Sequence, residues 1–451
     1  MSRIGLFCIS AAGHLFPMCA LGRELQERGH EILFFNVPDA EEDISKAQIP
    51  FCRFGDKYHP AGTIARRDEG VGKLEGLAGS AYMDRYLVGY VRAVFEEAAP
   101  LLEAANVDLL VVDQTDVSSS SLAAALKIPF VTVTLPLMFN YEDSVPHWSS
   151  GEPYSNDPAL FERRRSVRNF VSDMFGCYRS TLNEYRVKAG LPPYTHWDET
   201  WSTLAQISPQ PAAFEYPRQA LPANFHFTGP FLKAGCRPAS TFPFEKLSGK
   251  PLIYASFGTM LNRYLEMFRV IAKACVGLDF KLLISLGGGA SPEELGSLPG
   301  DPLVMKFVPQ LEILPRASLM ITHAGMNSAL ECLAAGVPMV AVPVSLDQPG
   351  VAARIAWTGM GVVIPLQECT VPALRSRIDE VLGNPSYRER AKWFKETIAA
   401  ADGLGKAASI IEKVAATKAP ILRQRTAPAS SLGQGTAPYP GASRTDSGVG
   451  A

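Results

Sequence analysis

Phe307-Val308-Pro309-Gln310 opens the most informative stretch of the chain. A short helical segment follows, then the apolar run Leu319-Met320-Ile321-Thr322, then His323-Ala324-Gly325-Met326-Asn327-Ser328 starting a helix that continues through Glu331 to Ala335. A second apolar run, Val337–Pro343, leads into Asp347-Gln348. Short apolar runs bounded by turn residues read as buried strands, and the patterned segment between them as a helix. The result is a strand–loop–helix–strand unit with polar groups gathered at the strands' carboxyl ends, where open α/β sheets bind ligands.

The same alternation extends in both directions. Leu252–Ser256, Lys281–Ser285, Val304–Phe307 and Gly361–Ile364 read as strands, and Val371–Leu382, Ser386–Ala401 and Lys406–Ala416 as helices. The N-terminal half begins with a strand Ile4–Ser10, a loop Ala11–Leu15, a helix from about Phe16 to Arg28 and a strand Glu31–Asn36, an opening that argues for a parallel sheet. It lacks G-x-G-x-x-G, which counts against a dinucleotide site. Residues 57–80, rich in Gly and charge, read as a mobile connection, Tyr82–Ala105 as a long helix, Asp108–Asp113 as a strand, Ser118–Leu126 as a helix and Phe130–Thr134 as a strand. Residues 135–160 form a long irregular loop carrying several aromatics, a kind of segment that is usually functional or disordered. Arg163-Arg164-Arg165 starts an amphipathic helix to about Ala189, whose basic face suits either solvent or an anionic membrane surface. Gly235, Pro238, Pro243 and Gly249 in a poorly patterned stretch place a linker at residues 233–250. From Lys418 onward Ala, Pro, Gly, Ser and Thr dominate, so residues 418–451 are expected to be disordered.

A chain of 451 residues exceeds one ordinary core, which makes two domains the expectation. A hydrophobic content of 47% with 20% charged residues is globular, and a net charge of -2 gives no nucleic-acid footprint. Eight cysteines show no metal-ligand or disulfide spacing, which points to a reduced cytoplasmic setting. The N-terminal apolar run Ile4–Ile9 is too short for a signal peptide, and no run of about 18 apolar residues predicts a membrane span. Peripheral membrane contact stays open.

The loop after Thr322 has the chemistry of a phosphate cradle. A helix N-terminus offers unpaired N–H groups and a positive dipole end. Gly325 lets a phosphate approach the backbone, Asn327 and Ser328 add donors, and His323 can donate to a phosphate oxygen. Taken alone, these residues fit a helix N-cap by Asn327 or Ser328 with an incidental histidine better than a phosphate site. No DxD metal motif is present; Asp113 and Asp116 are too far apart for one, and no metal is expected.

Phe307-x-Pro309-Gln310, His323-x-Gly325-x-Asn327-Ser328-x-x-Glu331 and Asp347-Gln348, at this spacing, resemble the donor-binding signature of UDP-dependent glycosyltransferases with the GT-B fold. Asp347-Gln348-Pro349-Gly350-Val351-Ala352-Ala353-Arg354-Ile355, Leu204-Ala205-Gln206-Ile207-Ser208 and Ile271-Ala272-Lys273-Ala274-Cys275 are similar to the bacterial zeaxanthin glucosyltransferase branch. The resemblance runs from about Arg3 to Thr417. It implies two Rossmann-like domains whose parallel sheets face each other across a cleft: an acceptor-binding domain, residues 1–232, and a UDP-sugar domain, residues 251–385. Helices in residues 386–417 would pack back toward the first domain. The plant-type signature has Trp where this chain has Phe307 and Met326.

The resemblance further implies that Ser256, Gly258 and Thr259 join His323, Gly325, Asn327 and Ser328 at the diphosphate. Phe307, Val308 and Gln310 would read uracil, Glu331 the ribose hydroxyls, and Asp347 and Gln348 the sugar, an Asp-Gln pair supplying both acceptors and donors. His14 matches the family's catalytic base. Asp113 ends a strand of the same sheet and can fix the imidazole tautomer, with Asp116 as the alternative partner. Phe139, Tyr141, Trp148, Phe170 and Met174 are candidates for lining an acceptor site. The expected activity is metal-independent, inverting transfer of glucose from UDP-glucose to a hydroxyl of a lipophilic small molecule, a carotenoid before a polyphenol or macrolide. A UDP-sugar epimerase or hydrolase and a non-catalytic nucleotide-sugar binding protein are the alternatives.

Overall fold

Two parallel sheets account for nearly all the buried aliphatic runs. The structure, a computed structural model, describes the chain except residues 74–75, 238–240, 248, 260–263 and 424–451, and the side chains of residues 72–77. The first sheet holds β1 (Arg3–Phe7), β2 (Glu31–Asn36), β3 (Phe51–Arg53), β4 (Leu109–Asp113), β5 (Phe130–Val133), β6 (Gln206–Ser208) and β7 (Phe225–Phe227). The second holds β8 (Leu252–Ser256), β9 (Lys281–Ser285), β10 (Leu303–Met305), β11 (Ala317–Thr322), β12 (Met339–Ala341) and β13 (Gly361–Val363). Strand order is β3-β2-β1-β4-β5-β6-β7 in one and β10-β9-β8-β11-β12-β13 in the other. Every pairing among the described residues is parallel. Strands buried on both faces, such as Leu109–Asp113 and Leu252–Ser256, read as unbroken apolar runs for that reason. This is the GT-B arrangement of two Rossmann-like domains.

In each sheet the strand order reverses once, between β1 and β4 and between β8 and β11. Such reversals splay the following loops apart and open a crevice at the carboxyl ends. The two domains meet over those crevices. Leu137 and Phe214 of the first domain are buried in a core of the second, with Val351, Ala352 and Ile355. Arg354 donates to both carboxylate oxygens of Glu215, at 2.9 and 2.6 Å, and both side chains are fully buried. Gly350 comes so near the Trp148 carbonyl that a Cβ there would stand 2.0 Å from its oxygen.

Several expectations change. Residues 57–80, expected as a connection, carry regular structure where they are described: Thr63–Lys73 is a helix and Gly76 begins another that runs to Ala93. The second continues through a π-type segment, Val94–Ala98, into Ala99–Ala105. Pro100, which cannot donate to Glu96 and crowds that carbonyl, sits just beyond the widened turn. The helix expected from Arg163 to Ala189 is two helices, Phe161–Asp173 and Gly176–Lys188. The break is stabilised by Asp84, whose carboxylate accepts from the N–H groups of Cys177 and Tyr178 at 3.1 and 2.7 Å. Arg164 is buried against Glu152 and Arg165 pairs with Asp143, both at 2.6 Å, while the Arg163 and Arg165 side chains stay exposed.

Pro385–Ala399 packs on the helix Met326–Ala335 in the second domain, and only Gly403–Thr417 crosses to lie on Ala12–Glu27 in the first. There Glu412 meets Arg28 at 3.1 Å and His30 at 3.3 Å. The first residues of the expected disordered tail are placed: Ile421 N–H donates to the Leu204 carbonyl and Arg423 N–H to the Ala223 carbonyl, both at 2.8 Å. The remainder of that tail, residues 424–451, lies outside the described residues. Among the described residues no helix is long and apolar enough to cross a membrane.

Candidate active site

His14 is in the first turn of the helix Ala12–Glu27, not in a loop, because that helix starts directly after β1. The neighbour of β1 at the reversal is β4, so Asp113 at its end reaches the same turn. His14 Nδ1 stands 2.6 Å from Asp113 Oδ2, and the Thr115 N–H donates to Asp113 Oδ1 at 3.1 Å. Asp113 is fully buried, and the His14 side chain keeps 15% exposure. The carboxylate holds the imidazole with its proton on Nδ1, leaving Nε2 as the acceptor nitrogen. Asp116 faces elsewhere. It accepts from the Ser119 N–H and hydroxyl at 2.9 and 2.6 Å and from the Tyr90 hydroxyl at 2.9 Å, capping the helix Val117–Ala125. Burial pushes its carboxyl up to about 6 against those bonds.

Pro17 has a consequence for the cleft. It has no N–H for the Gly13 carbonyl four residues earlier, so that acceptor lacks its helical partner. The Asn327 side-chain amide, at the start of Met326–Ala335 in the other domain, donates to it.

β8 and β11 are neighbours in the same way, so the turns after Ser256 and Thr322 lie side by side. Ser256 Oγ accepts from the Gly258 N–H at 3.3 Å, and Thr259 continues that turn. The His323 imidazole is wedged between two glycines: a Cβ on Gly258 would lie 2.8 Å from it, and one on Gly325 2.5 Å. Burial pushes its pKa down to about 4, so the ring is neutral near pH 7, and its enclosed Nδ1 has no hydrogen-bond partner among the described residues. Gly325 is the N-cap of Met326–Ala335 and no side chain caps that helix, which leaves its first N–H groups open to an anion.

The remaining donor-side residues are engaged more than their sequence suggests. Both Glu331 oxygens are occupied, one by Arg237 and the other by Gln310 Nε2 at 2.7 Å. Gln310 also accepts from the Tyr254 hydroxyl at 2.8 Å and donates to Ser328 Oγ at 3.3 Å, so it orients Glu331 and Ser328 rather than standing free for a base. Phe307 is 49% exposed, with its ring against Gly288, and Val308 packs into the core beneath. Asp347 Oδ2 accepts from the Leu137 N–H of the first domain at 3.0 Å. Burial raises the Asp347 carboxyl, while the Leu137 N–H acts in the opposite direction. Gln348 Oε1 accepts from the N–H groups of Val344 and Ser345 at 2.9 and 3.1 Å, holding its own turn. Among the described residues no three His, Cys, Asp or Glu side chains gather as a metal site.

Gln114, next to Asp113, anchors an aromatic cavity. Its Oε1 accepts from the Phe139 N–H at 2.8 Å and its carbonyl from Trp201 Nε1 at 3.2 Å. Phe139, Tyr141 and Trp148, three of the acceptor-site candidates, line this cavity. Phe170 instead is 57% exposed, and neither it nor Met174 reaches the cavity, because their helix presents Arg168, Val171 and Ser172. The sequence reading missed His147, His196, Trp197 and Trp201, which complete it. The aromatic pair four residues apart at Trp197 and Trp201 was the available signal.

The fold resembles solved glycosyltransferases. A structure described as the glycotransferase of kitacinnamycin superposes with a TM-score of 0.72 at 22% identity, covering 91% of this chain and 98% of that one. CalG4, the calicheamicin glycosyltransferase, gives 0.70 at 23%, covering 93% and 100%. In sequence, a zeaxanthin glucosyltransferase of Pantoea ananas is 30% identical over 417 residues, covering 91% of this chain and 95% of that protein. The 4'-demethylrebeccamycin synthase of Lentzea aerocolonigenes is 26% identical over 417 residues, covering 89% and 96%. The family described as UDP-glucoronosyl and UDP-glucosyl transferase matches residues 81–397. With that match added to the two-domain fold, the chain belongs to this family and is a glycosyltransferase that moves sugar from a nucleotide donor to small molecules.

Proposed function

We propose that this enzyme transfers glucose from UDP-glucose, with inversion, to a hydroxyl of a lipophilic carotenoid-like molecule. The observation that carries the proposal is the His14–Asp113 contact of 2.6 Å, facing the uncapped start of Met326–Ala335 across the cleft. His14 Nε2 takes the proton from the acceptor hydroxyl as its oxygen attacks the anomeric carbon. The bond to the diphosphate breaks on the opposite face, and Asp113 stabilises the imidazolium. The departing UDP gathers charge on oxygens held by the N–H groups after Gly325, by Asn327 and Ser328, and by the turn Ser256, Gly258, Thr259. His323, being neutral, acts as a hydrogen-bond donor there and not as a cation. Phe307 offers a face for uracil, with the Val308 backbone at its edge. Glu331, steadied by Gln310, takes the ribose hydroxyls once Arg237 gives way. Asp347 and the Gln348 amide nitrogen meet the sugar. The likeness to zeaxanthin glucosyltransferases supports glucose and a carotenoid.

Mass spectrometry and NMR of products from UDP-glucose with zeaxanthin and a flavonoid, in parallel with donor alone, test this. A β-glucoside of zeaxanthin is expected, at an unchanged rate in EDTA. Full donor consumption without acceptor would instead indicate a hydrolase or epimerase.

A further inference from the structure

The cavity beside Gln114 is walled by flat rings. Phe139 stacks on Trp148 with centroids 4.3 Å apart and planes 21° apart, and Trp197 lies 5.6 Å from Phe139. Into this apolar surround project donors with nothing to bind. Arg168 Nε and Trp197 Nε1 are enclosed and have no hydrogen-bond partner among the described residues. The Arg168 guanidinium lies 4.3 Å over the Tyr141 ring and reaches His196 Nε2 at 3.5 Å, but forms no ion pair with a carboxylate among the described residues. Asp143, the acid nearest in influence, is held by Arg165 at 2.6 Å, and Asp198 is exposed at the rim. His147 is neutral near pH 7, since burial pushes it down to about 4, and its Nδ1 faces Ser149 Oγ at 2.8 Å.

A hydrocarbon in this cavity would leave the enclosed Arg168 Nε–H and Trp197 Nε1–H unpaired, and a single hydroxyl could satisfy only one of them, which is unfavourable. A carboxylate would satisfy all of them through charge-assisted bonds. The volume agrees: about 50 Å³ holds roughly three or four waters, or one carboxylate with its carbon.

We propose that the cavity seats a carboxylate at one end of a planar, conjugated acceptor, pairing it with Arg168 and Trp197 Nε1. The acceptor's other end carries the hydroxyl that meets His14. This rests on the transferase function proposed above and narrows its acceptor to a conjugated, carotenoid-like molecule with a hydroxyl at one end and a carboxylate at the other. Gln114 ties the cavity wall to the end of the strand that carries Asp113, through the Phe139 N–H and Trp201 Nε1.

Three phenols that differ only at the far end provide the test: 4-hydroxycinnamate (a carboxylate), 4-hydroxybenzalacetone (a neutral ketone) and 4-propenylphenol (no oxygen). Calorimetric titration into the full-length protein without donor reads the site apart from turnover. The carboxylate is expected to bind about tenfold tighter than the ketone, with the propenyl compound weakest. Arg168→Gln should erase the carboxylate's advantage, Arg168→Lys should restore part of it, and an unaltered UDP affinity in each shows that the fold is intact. Trp197→Phe, which keeps the ring but removes the N–H, should weaken the carboxylate several-fold. Equal binding of the three phenols, or a carboxylate advantage that survives Arg168→Gln, overturns the proposal. The same compounds incubated with UDP-glucose separate the two ideas. Carboxylate-selective binding without glucoside supports the anion site and overturns the placement of the acceptor's other end at His14, whereas glucosides formed without carboxylate preference overturn the anion site alone.

Discussion

The Asn327 amide donates across the cleft to the Gly13 carbonyl, an acceptor that Pro17 leaves without its helical partner. One proline thus supplies the contact that ties the donor-side helix to the turn holding His14. Asn327→Ala should raise the KM for UDP-glucose by about tenfold, through loss of this bond and of a phosphate donor. Steady-state kinetics over donor concentration measure it. An unchanged KM would show that the contact has no part in donor binding.

Asp113 and Asp116 are close in sequence but differ in what they touch, and their amide variants should separate. Asp113→Asn is expected to lower kcat by about 10² to 10⁴, because the asparagine no longer enforces the Nδ1–H tautomer of His14. Asp116→Asn should act on the melting temperature, through Ser119 and Tyr90, and leave UDP affinity unaltered. His14→Ala should abolish transfer to hydroxyls with UDP binding retained.

Arg237 occupies the Glu331 oxygen that a ribose would use. Arg237→Ala should therefore tighten UDP binding by a few-fold, as a ribose hydroxyl no longer competes with a guanidinium. Glu331→Ala should weaken it by about tenfold or more. Calorimetry with UDP distinguishes this from a supporting role for Arg237, in which its removal would weaken binding as well.

Two buried groups make the protein acid-sensitive in separate pH windows. His323 is held near 4 by burial, below the usual histidine value of about 6.5, so the unfolded chain binds its proton first. Its contribution is full above about pH 6.5 and is lost as pH falls through 4, amounting to as much as about 3 kcal/mol. Burial would raise the Glu215 carboxyl, but Arg354 and Arg218 outweigh it and hold it at about 2. Its contribution is present above about 4.5 and is lost toward pH 2. Urea unfolding at pH 7 and pH 5 should show the first loss, and His323→Gln should flatten it. Glu215→Ala should cost about 3–5 kcal/mol at pH 7 by stranding Arg354 in the domain interface.

Much of the fold was legible because buried parallel strands are short unbroken apolar runs. Leu252–Ser256, Lys281–Ser285 and Glu31–Asn36 match the structure at both ends. The three-residue strands Phe51–Arg53, Gln206–Ser208 and Phe225–Phe227 escaped, since Arg53, Gln206, Ser208 and His226 interrupt any apolar run there, whereas the equally short Met339–Ala341 and Gly361–Val363 lie in apolar runs. The helices in residues 57–80 escaped because glycine and charge there outweigh any apolar stripe.

The sequence by itself determined the chemistry on offer: the spaced polar signature from Phe307 to Gln348, the histidine after the first strand and the carboxylate ending the fourth. Those are local properties of composition and spacing. Tertiary structure decided which groups meet and which are already engaged. Strand order placed His14 beside Asp113 and turned Asp116 into a cap. Domain closure brought Arg237 onto Glu331, Leu137 onto Asp347 and the amide of Asn327 onto Gly13. Such partners lie about a hundred to three hundred residues apart, so no local pattern encodes them; they follow from burying both faces of two sheets and closing one domain over the other.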